Sequence, residues 1–104
     1  MEDIKLGEQI ILSGFKSLDG GTMHILRKMI GSEVRKLSDR CGQFQELKLV
    51  MKPVHGTEAS EIYEIHGHLT DNGKSFVSKV EDRNVFMAIS KVLEKLEREM
   101  DNKI

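Results

Sequence analysis

The chain has 104 residues, of which 32% are charged and 38% hydrophobic, and its net charge at pH 7 is −1. This length predicts one domain over residues 1–104, and the composition is that of a globular protein and not of a disordered chain. The net charge excludes a uniformly basic nucleic-acid binder, so any contact with phosphate must depend on how the charges are distributed.

Neither a membrane segment nor an export signal is visible in the sequence. No apolar run approaches the roughly 20 residues of a membrane-spanning helix, and the acidic start at Glu2 and Asp3 does not fit a secretory signal. The single cysteine, Cys41, cannot form a disulfide within the chain, which agrees with a reducing compartment. We therefore expect a cytoplasmic protein without membrane contacts.

The predicted elements begin with a weakly patterned segment. Residues 1–8 mix charges with isolated apolar residues, so we expect a loose lead-in or the frayed start of a strand. Residues 9–15 are apolar and β-branched, which favours a short strand. A turn over residues 17–21 follows, and Asp19 or Thr22 is expected to cap the next helix.

A long amphipathic helix is predicted over residues 22 to about 41, because apolar residues recur at steps of three and four. Its basic residues divide between two flanks of the apolar stripe, and Lys36 and Arg40 lie towards one of them. The other flank carries His24, Arg27, Lys28 and Arg35. Gly31 leaves space in that group for the close approach of a backbone, and Gly42 is expected to end the helix in a left-handed conformation.

Two strands are predicted in the middle of the chain. Residues 46–52 alternate apolar and basic residues, and the only proline, Pro53, is expected to end this strand or to place it at an edge. Residues 55–60 have the composition of a loop, and residues 61–69 form the next strand. This strand presents Tyr63, Ile65 and Leu69 on one face and Glu64, His66 and His68 on the other.

The strongest turn signal is Asn72-Gly73, since both residues readily take the positive φ angles of a type I′ hairpin. It predicts a fourth strand over residues 74–80. The last helix follows over residues 84–100, with Asn84 as its N-cap. Its apolar face consists of Phe86, Ile89, Val92, Leu93, Leu96 and Met100. Its charges separate, with Lys91, Lys95 and Arg98 on one flank and Glu94 and Glu97 on the other.

These elements predict an α+β fold in the order β-α-β-β-β-α. A four-stranded, mainly antiparallel sheet with one face in water and two helices packed on the other satisfies both apolar helix stripes and the strand alternation.

No catalytic constellation is visible. His66 and His68 share one strand face and could bind a metal with His55 or a nearby Glu, but exposed histidines on a wet strand face are the simpler interpretation. Cys41 lies on the apolar stripe of the first helix and is expected to be a small buried hydrophobe. We therefore expect no enzymatic activity, no cofactor or metal and no small-molecule substrate.

The uneven basic residues of the two helices are the remaining functional signal. If the helices lie side by side, their basic flanks could form one groove that holds phosphates of structured RNA without reading its sequence. The alternative is that these charges only solvate the helix flanks. The candidate RNA-binding residues are Arg27, Lys28, Arg35, Lys91, Lys95 and Arg98.

Both helices carry a resemblance to a known family. In the second helix it rests on an aromatic residue, an Ala-Ile pair and a Lys-Leu-x-Arg group, which are Phe86, Ala88-Ile89, Lys95-Leu96 and Arg98. In the first helix it rests on Leu26-Arg27, Ile30, Val34, Lys36 and Leu37, and Asn72-Gly73 falls where the family often has a tight hairpin. This pattern resembles the short ribosome hibernation-promoting factors, also called ribosome-associated inhibitor A or sigma-54 modulation proteins.

The resemblance implies a fold similar to double-stranded RNA-binding domains and a role in translation regulation during stress. Family members bind the rRNA of the small ribosomal subunit in the channel for messenger and transfer RNA and hold idle ribosomes inactive. By the resemblance, Arg27, Lys28, Lys95 and Arg98 are the leading phosphate contacts. Long members add a C-terminal domain that pairs ribosomes, and because this chain ends at Ile104 we expect it to lack that domain.

Two alternatives stay open at this point. Acidic residues around the second helix, among them Glu81, Asp82, Glu97 and Glu99, allow for a divergent relative that kept the fold and changed its partner. Such a protein would be an interaction or regulatory module that uses the open sheet face or an edge strand. A metal-binding or enzymatic role centred on His66 and His68 is the other alternative.

Overall fold

The computed structural model describes residues 3–7, 9–57 and 60–102, with the backbone alone for 53–57, 60, 61 and 102. These residues form an α+β fold with two helices and a five-stranded mixed sheet. The elements are β1 (Asp3–Leu6), β2 (Ile10–Ser13), α1 (Gly20–Arg40), β3 (Phe44–Thr57), β4 (Ser60–Asp71), β5 (Lys74–Asp82) and α2 (Val85–Asn102). Neither helix, within the described residues, is long and apolar enough to cross a membrane.

The sheet contains one strand more than the sequence predicts. Its strands lie in the order β1-β2-β3-β4-β5, with β2 and β3 parallel and the other neighbours antiparallel. The extra strand, β1, lies within the expected lead-in and pairs with β2 from Asp3↔Ser13 to Leu6↔Ile10. It forms because Ile4 and Leu6 alternate with charged residues and pack against the core.

Both predicted helix caps are confirmed, and α1 ends at Arg40, close to the predicted end, but the expected left-handed conformation of Gly42 is wrong. The Asp19 carboxylate accepts the Thr22 N–H at 2.8 Å, and the Asn84 side-chain oxygen accepts the Phe86 N–H at 2.9 Å. At the other end of α1, Cys41 is extended and its N–H donates to two carbonyls of the last turn. Because those carbonyls are already satisfied, Gly42 does not take a left-handed conformation.

Pro53 does not end its strand, because β3 continues to Thr57 and pairs there with Ser60. The expected loop over residues 55–60 is therefore mostly strand, and residues 58 and 59 lie outside the described part. Alternate residues of β3 direct their N–H towards β2, as Leu47 does to the Gln9 carbonyl at 2.8 Å. Pro53 is at one of these alternate positions. Because the pairing with β2 ends at Val50, no described strand requires the N–H that proline lacks.

The predicted hairpin between β4 and β5 is confirmed. Asn72 and Gly73 have φ angles of 50° and 80°, as the two central residues of a type I′ turn require. The turn pairs Asp71 with Lys74, and β5 continues to Asp82, beyond the predicted end at residue 80.

One face of the sheet carries the apolar stripes of both helices. The helix residues of this core include Leu26, Ile30 and Leu37 of α1 and Ile89, Leu93 and Leu96 of α2. Gly67 of β4 is buried beneath α2, where an added Cβ would lie 2.9 Å from Leu96 Cδ1. The Ser78 hydroxyl of β5 donates to the Val92 carbonyl at 3.0 Å. These contacts place α2 over β4 and β5, at one side of the sheet.

Candidate functional site

The first basic surface is the outer flank of α1, formed by Arg27, Lys28 and Arg35, which we call the α1 flank. The apolar residues Met23, Leu26 and Ile30 of the same helix are buried in the core. The three basic residues of the α1 flank are therefore exposed. Within the described part of the chain, none of the three makes an ion pair or a side-chain hydrogen bond. Gly31 lies among them with open space around it, so the expected close approach of a backbone is not seen there.

The second basic surface is the flank of α2 that carries Lys91, Lys95 and Arg98, and each of these has a partner. Lys91 Nζ lies 2.7 Å from the Asp82 carboxylate, and Arg98 pairs with Glu94 one turn earlier. Glu94 therefore lies with the basic residues and not on the opposite flank as the sequence suggested. Lys95 Nζ donates to the Lys79 carbonyl oxygen at 3.2 Å, so it alone of the three has an uncharged partner.

The contacts of the Asp82 carboxylate lower its pKa. Its pKa lies below the usual 3.8, chiefly because it accepts a hydrogen bond from Lys91 and a second one from the Asn84 N–H. Asp82 thus holds Lys91 at the end of β5 while it also orders the start of α2.

The two basic flanks do not meet. Arg40 crosses between the helices and pairs with Glu97 at 3.1 Å and with Asp101, so the side of α2 that faces α1 is acidic. Arg27 lies about 140° around the α1 axis from Arg40, which directs the α1 flank away from α2. The common groove expected between the helices is therefore absent from the described structure. As RNA contacts, all six residues stay predictions.

The α2 residues instead line a groove of about 580 Å³ between α2 and the edge strand β5, which we call the β5 groove. The residues that line it are Lys79, Val80, Glu81, Lys91, Glu94, Lys95 and Arg98. Sequence reasoning missed the β5 contribution because the helical wheel of α2 does not show which strand its basic flank faces.

On the open face of the sheet, Glu64 lies between Lys79 of the neighbouring strand β5 and His66 of its own strand β4. Its carboxylate pairs with Lys79 Nζ at 2.8 Å and lies 3.4 Å from His66 Nε2. The hydrogen bond from Lys79 lowers the pKa of Glu64, and the same bond raises that of Lys79. His66 Nε2 is itself buried and has no hydrogen-bond partner among the described residues.

The proposed metal ligands are not assembled in the described structure. His66 and His68 lie on the predicted open face, but no group of three described His, Cys, Asp or Glu side chains is close enough to hold a metal. The side chain of His55 lies outside the described residues.

Cys41 is half-buried at the margin of the core. Burial, and then the nearby Asp71 carboxylate, raise the pKa of its thiol to about 11. The thiol is therefore protonated at neutral pH and is a poor nucleophile.

Comparison with known proteins does not identify this chain: it matches no model of a protein family and no curated protein. The family resemblance therefore rests on the residues of this sequence alone.

Proposed function

We propose that this protein is a non-catalytic cytoplasmic factor that binds the small ribosomal subunit and holds idle ribosomes inactive by occupying the messenger and transfer RNA channel. The resemblance of both helices supports this proposal. The observation that carries it is the α1 flank, a row of exposed cations without partners within the described residues.

Whether a cation is already paired with a carboxylate determines how well it can bind a phosphate. A phosphate that binds Lys91 or Arg98 must displace Asp82 or Glu94, so part of the electrostatic gain is lost. Arg27 and Arg35 need no such exchange. They are separated by eight residues, or about 12 Å along the helix, so they can contact different phosphates of a folded RNA surface.

The fold is compatible with this role. From β2 onward the elements follow the order β-α-β-β-β-α that the resemblance implies, and β1 is an addition at the far side of the sheet. Binding of this kind requires no chemical step, so the protein would act by occlusion.

The test is co-sedimentation of the purified protein with isolated small ribosomal subunits at low and at physiological salt. We expect binding of about one copy per subunit that persists at physiological salt and weakens as salt rises. Absence of binding by the unmodified protein at low salt would overturn the proposal.

Charge-reversal variants then locate the contact. We expect Arg27→Glu/Arg35→Glu to abolish binding and Lys95→Glu/Arg98→Glu to weaken it less, because the α2 cations already have partners. A matched control, Lys36→Glu/Lys74→Glu, makes the same change in net charge at exposed positions away from both flanks. Equal losses in all three variants would show that only net charge matters.

A further inference from the structure

One edge of β5 has no neighbouring strand in the described sheet. Every second residue of an antiparallel strand directs both its N–H and its C=O away from its partner strand. Lys95 reaches the Lys79 carbonyl at this edge. Ser75, Val77 and Glu81 occupy the equivalent alternate positions of β5, so their N–H and C=O groups also point away from β4. For the residues that the structure describes, no other partner of these backbone groups is found. Such an edge is a template for a further strand.

The β5 groove runs along this free edge, and its described lining has four cations and two carboxylates. Three of these cations are already paired, Lys79 with Glu64, Lys91 with Asp82 and Arg98 with Glu94. Lys95 is the lining cation whose partner is uncharged, so it is the one that can pair with an incoming carboxylate without displacing another. A second concavity of about 400 Å³ continues it past Val77, again beside Lys95 and Arg98 and also beside Glu99. An added strand would therefore place alternate side chains against the basic flank of α2.

We infer that the β5 groove binds an extended acidic segment of a partner protein, which pairs with β5 as a sixth strand. This contact lies on the far side of α2 from the α1 flank and does not depend on ribosome binding. Main-chain hydrogen bonds to the edge supply affinity, and carboxylates at alternate positions supply specificity.

Lys95 links the free edge of β5 to the preference for an acidic peptide. An arriving peptide N–H replaces the Lys95 ammonium on the Lys79 carbonyl, and the released ammonium then pairs with a carboxylate of the same peptide. On the open side of the sheet, the peptide passes Val77, which is 59% exposed, and can pack an apolar side chain against it.

The geometry favours a peptide over RNA at this place. A peptide backbone brings donors and acceptors that match the outward N–H and C=O groups of β5, whereas phosphodiester groups are acceptors only. The described lining also has no aromatic residue on which a base could stack.

The test uses a blocked peptide of the same length as β5, 9 residues, with Glu at alternate positions and Thr between them. Binding is followed by two-dimensional NMR of the labelled protein, up to about 1 mM peptide. We expect the largest shifts at the amides of Ser75, Val77, Lys79 and Glu81. Two probes serve as controls, namely the same peptide with Lys in place of Glu and the Glu peptide N-methylated at the residues that would face β5.

We expect the Lys peptide not to bind and N-methylation to weaken binding more than tenfold, because several main-chain hydrogen bonds are lost. Lys95→Gln should weaken the Glu peptide about fivefold, as for one exposed ion pair, whereas the control Lys36→Gln should have no effect. Equal affinity of the N-methylated peptide would overturn the proposal, as would the absence of shifts at the β5 edge. A short RNA duplex that shifts this edge while the Glu peptide does not would assign the groove to RNA instead.

Discussion

Gly67 determines how closely α2 lies on the sheet. A Cβ at this position would be 2.9 Å from Leu96 Cδ1 and 3.1 Å from Val92 Cγ2, and both side chains are fully buried. A side chain at this position must therefore displace Leu96 and Val92 within a packed core or lift the helix. The position of α2, and with it the width of the β5 groove, thus depends on the absence of one methyl group.

We expect Gly67→Ala to lower the free energy of unfolding by about 1–3 kcal/mol, as for other overpacked cores. Gly31→Ala is the matched control, because this helical glycine has open space around it and alanine should stabilise α1 by about 0.5–1 kcal/mol. Urea denaturation of both variants measures the difference. Opposite signs support this account of α2 packing, and an unchanged stability of Gly67→Ala contradicts it.

The contact between Asp82 and Lys91 makes stability depend on pH. Because the folded-state pKa of Asp82 lies below its usual 3.8, the ionised carboxylate stabilises the fold above that value, and the stabilisation is lost as pH falls through the folded-state pKa. We expect Asp82→Asn to be less stable than the unmodified protein at pH 7 and the difference to disappear in acid.

Chemical denaturation between pH 7 and pH 2 checks this expectation. Lys91→Gln should reduce the fall in stability between pH 7 and acid. At pH 7 the double variant should lose less stability than the two single variants combined. Additive losses would show that the two side chains do not act as a pair.

At the scale of the elements, Arg40 joins the C-terminal ends of α1 and α2 through Glu97 and Asp101. All three side chains are partly exposed, so we expect Arg40→Gln to cost less than about 1 kcal/mol of stability. The local effect should be larger, because the last turn of α2 loses its contact with α1. Faster amide hydrogen exchange in residues 97–101 measures this effect. Lys36→Gln, which breaks a pair within α1 alone, should leave that exchange unchanged.

The elements that the sequence predicts well are those with a strong local signal. Asp19 and Asn84 cap helices through their own side chains, and Asn72-Gly73 forms its turn from its own backbone preferences. In contrast, β1 has only four residues, and its alternating pattern is too short to identify a strand from the sequence. The strand is explained by the packing of Ile4 and Leu6 against the core. The continuation of β3 through Pro53 depends on where β2 ends, which no local pattern reveals.

The candidate sites show the same division between local and tertiary information. The helical wheel places Lys91, Lys95 and Arg98 together on α2 without tertiary information. It does not reveal that this flank faces β5, because that depends on which side of α2 packs against α1. Nor does it reveal that Lys91 already has a carboxylate partner in Asp82, which follows from the length of β5.

For the whole molecule, the net charge of −1 conceals a strong segregation of charge. The α1 flank is positive and without partners among the described residues, and the contact between the helices combines Arg40 with two carboxylates. The β5 groove is a mixed surface on which most cations are paired with carboxylates. Long-range attraction of a polyanion is therefore weak, and short-range contacts of the α1 flank must supply most of any affinity for RNA.

This charge distribution determines how ribosome binding should respond to salt. Each cation that contacts a phosphate releases bound counterions, so its removal lowers the slope of log affinity against log salt by about 0.7–0.9. We expect Arg27→Gln and Arg35→Gln each to reduce the slope by this amount, and Lys36→Gln, which lies towards the other flank of the apolar stripe and about 180° around the axis from Arg27, to leave it unchanged. Affinities measured at several salt concentrations give the slopes directly. If Lys36→Gln reduced the slope as much as Arg35→Gln, the contact would not be confined to the α1 flank, and a diffuse attraction to the whole helix layer would explain the binding better.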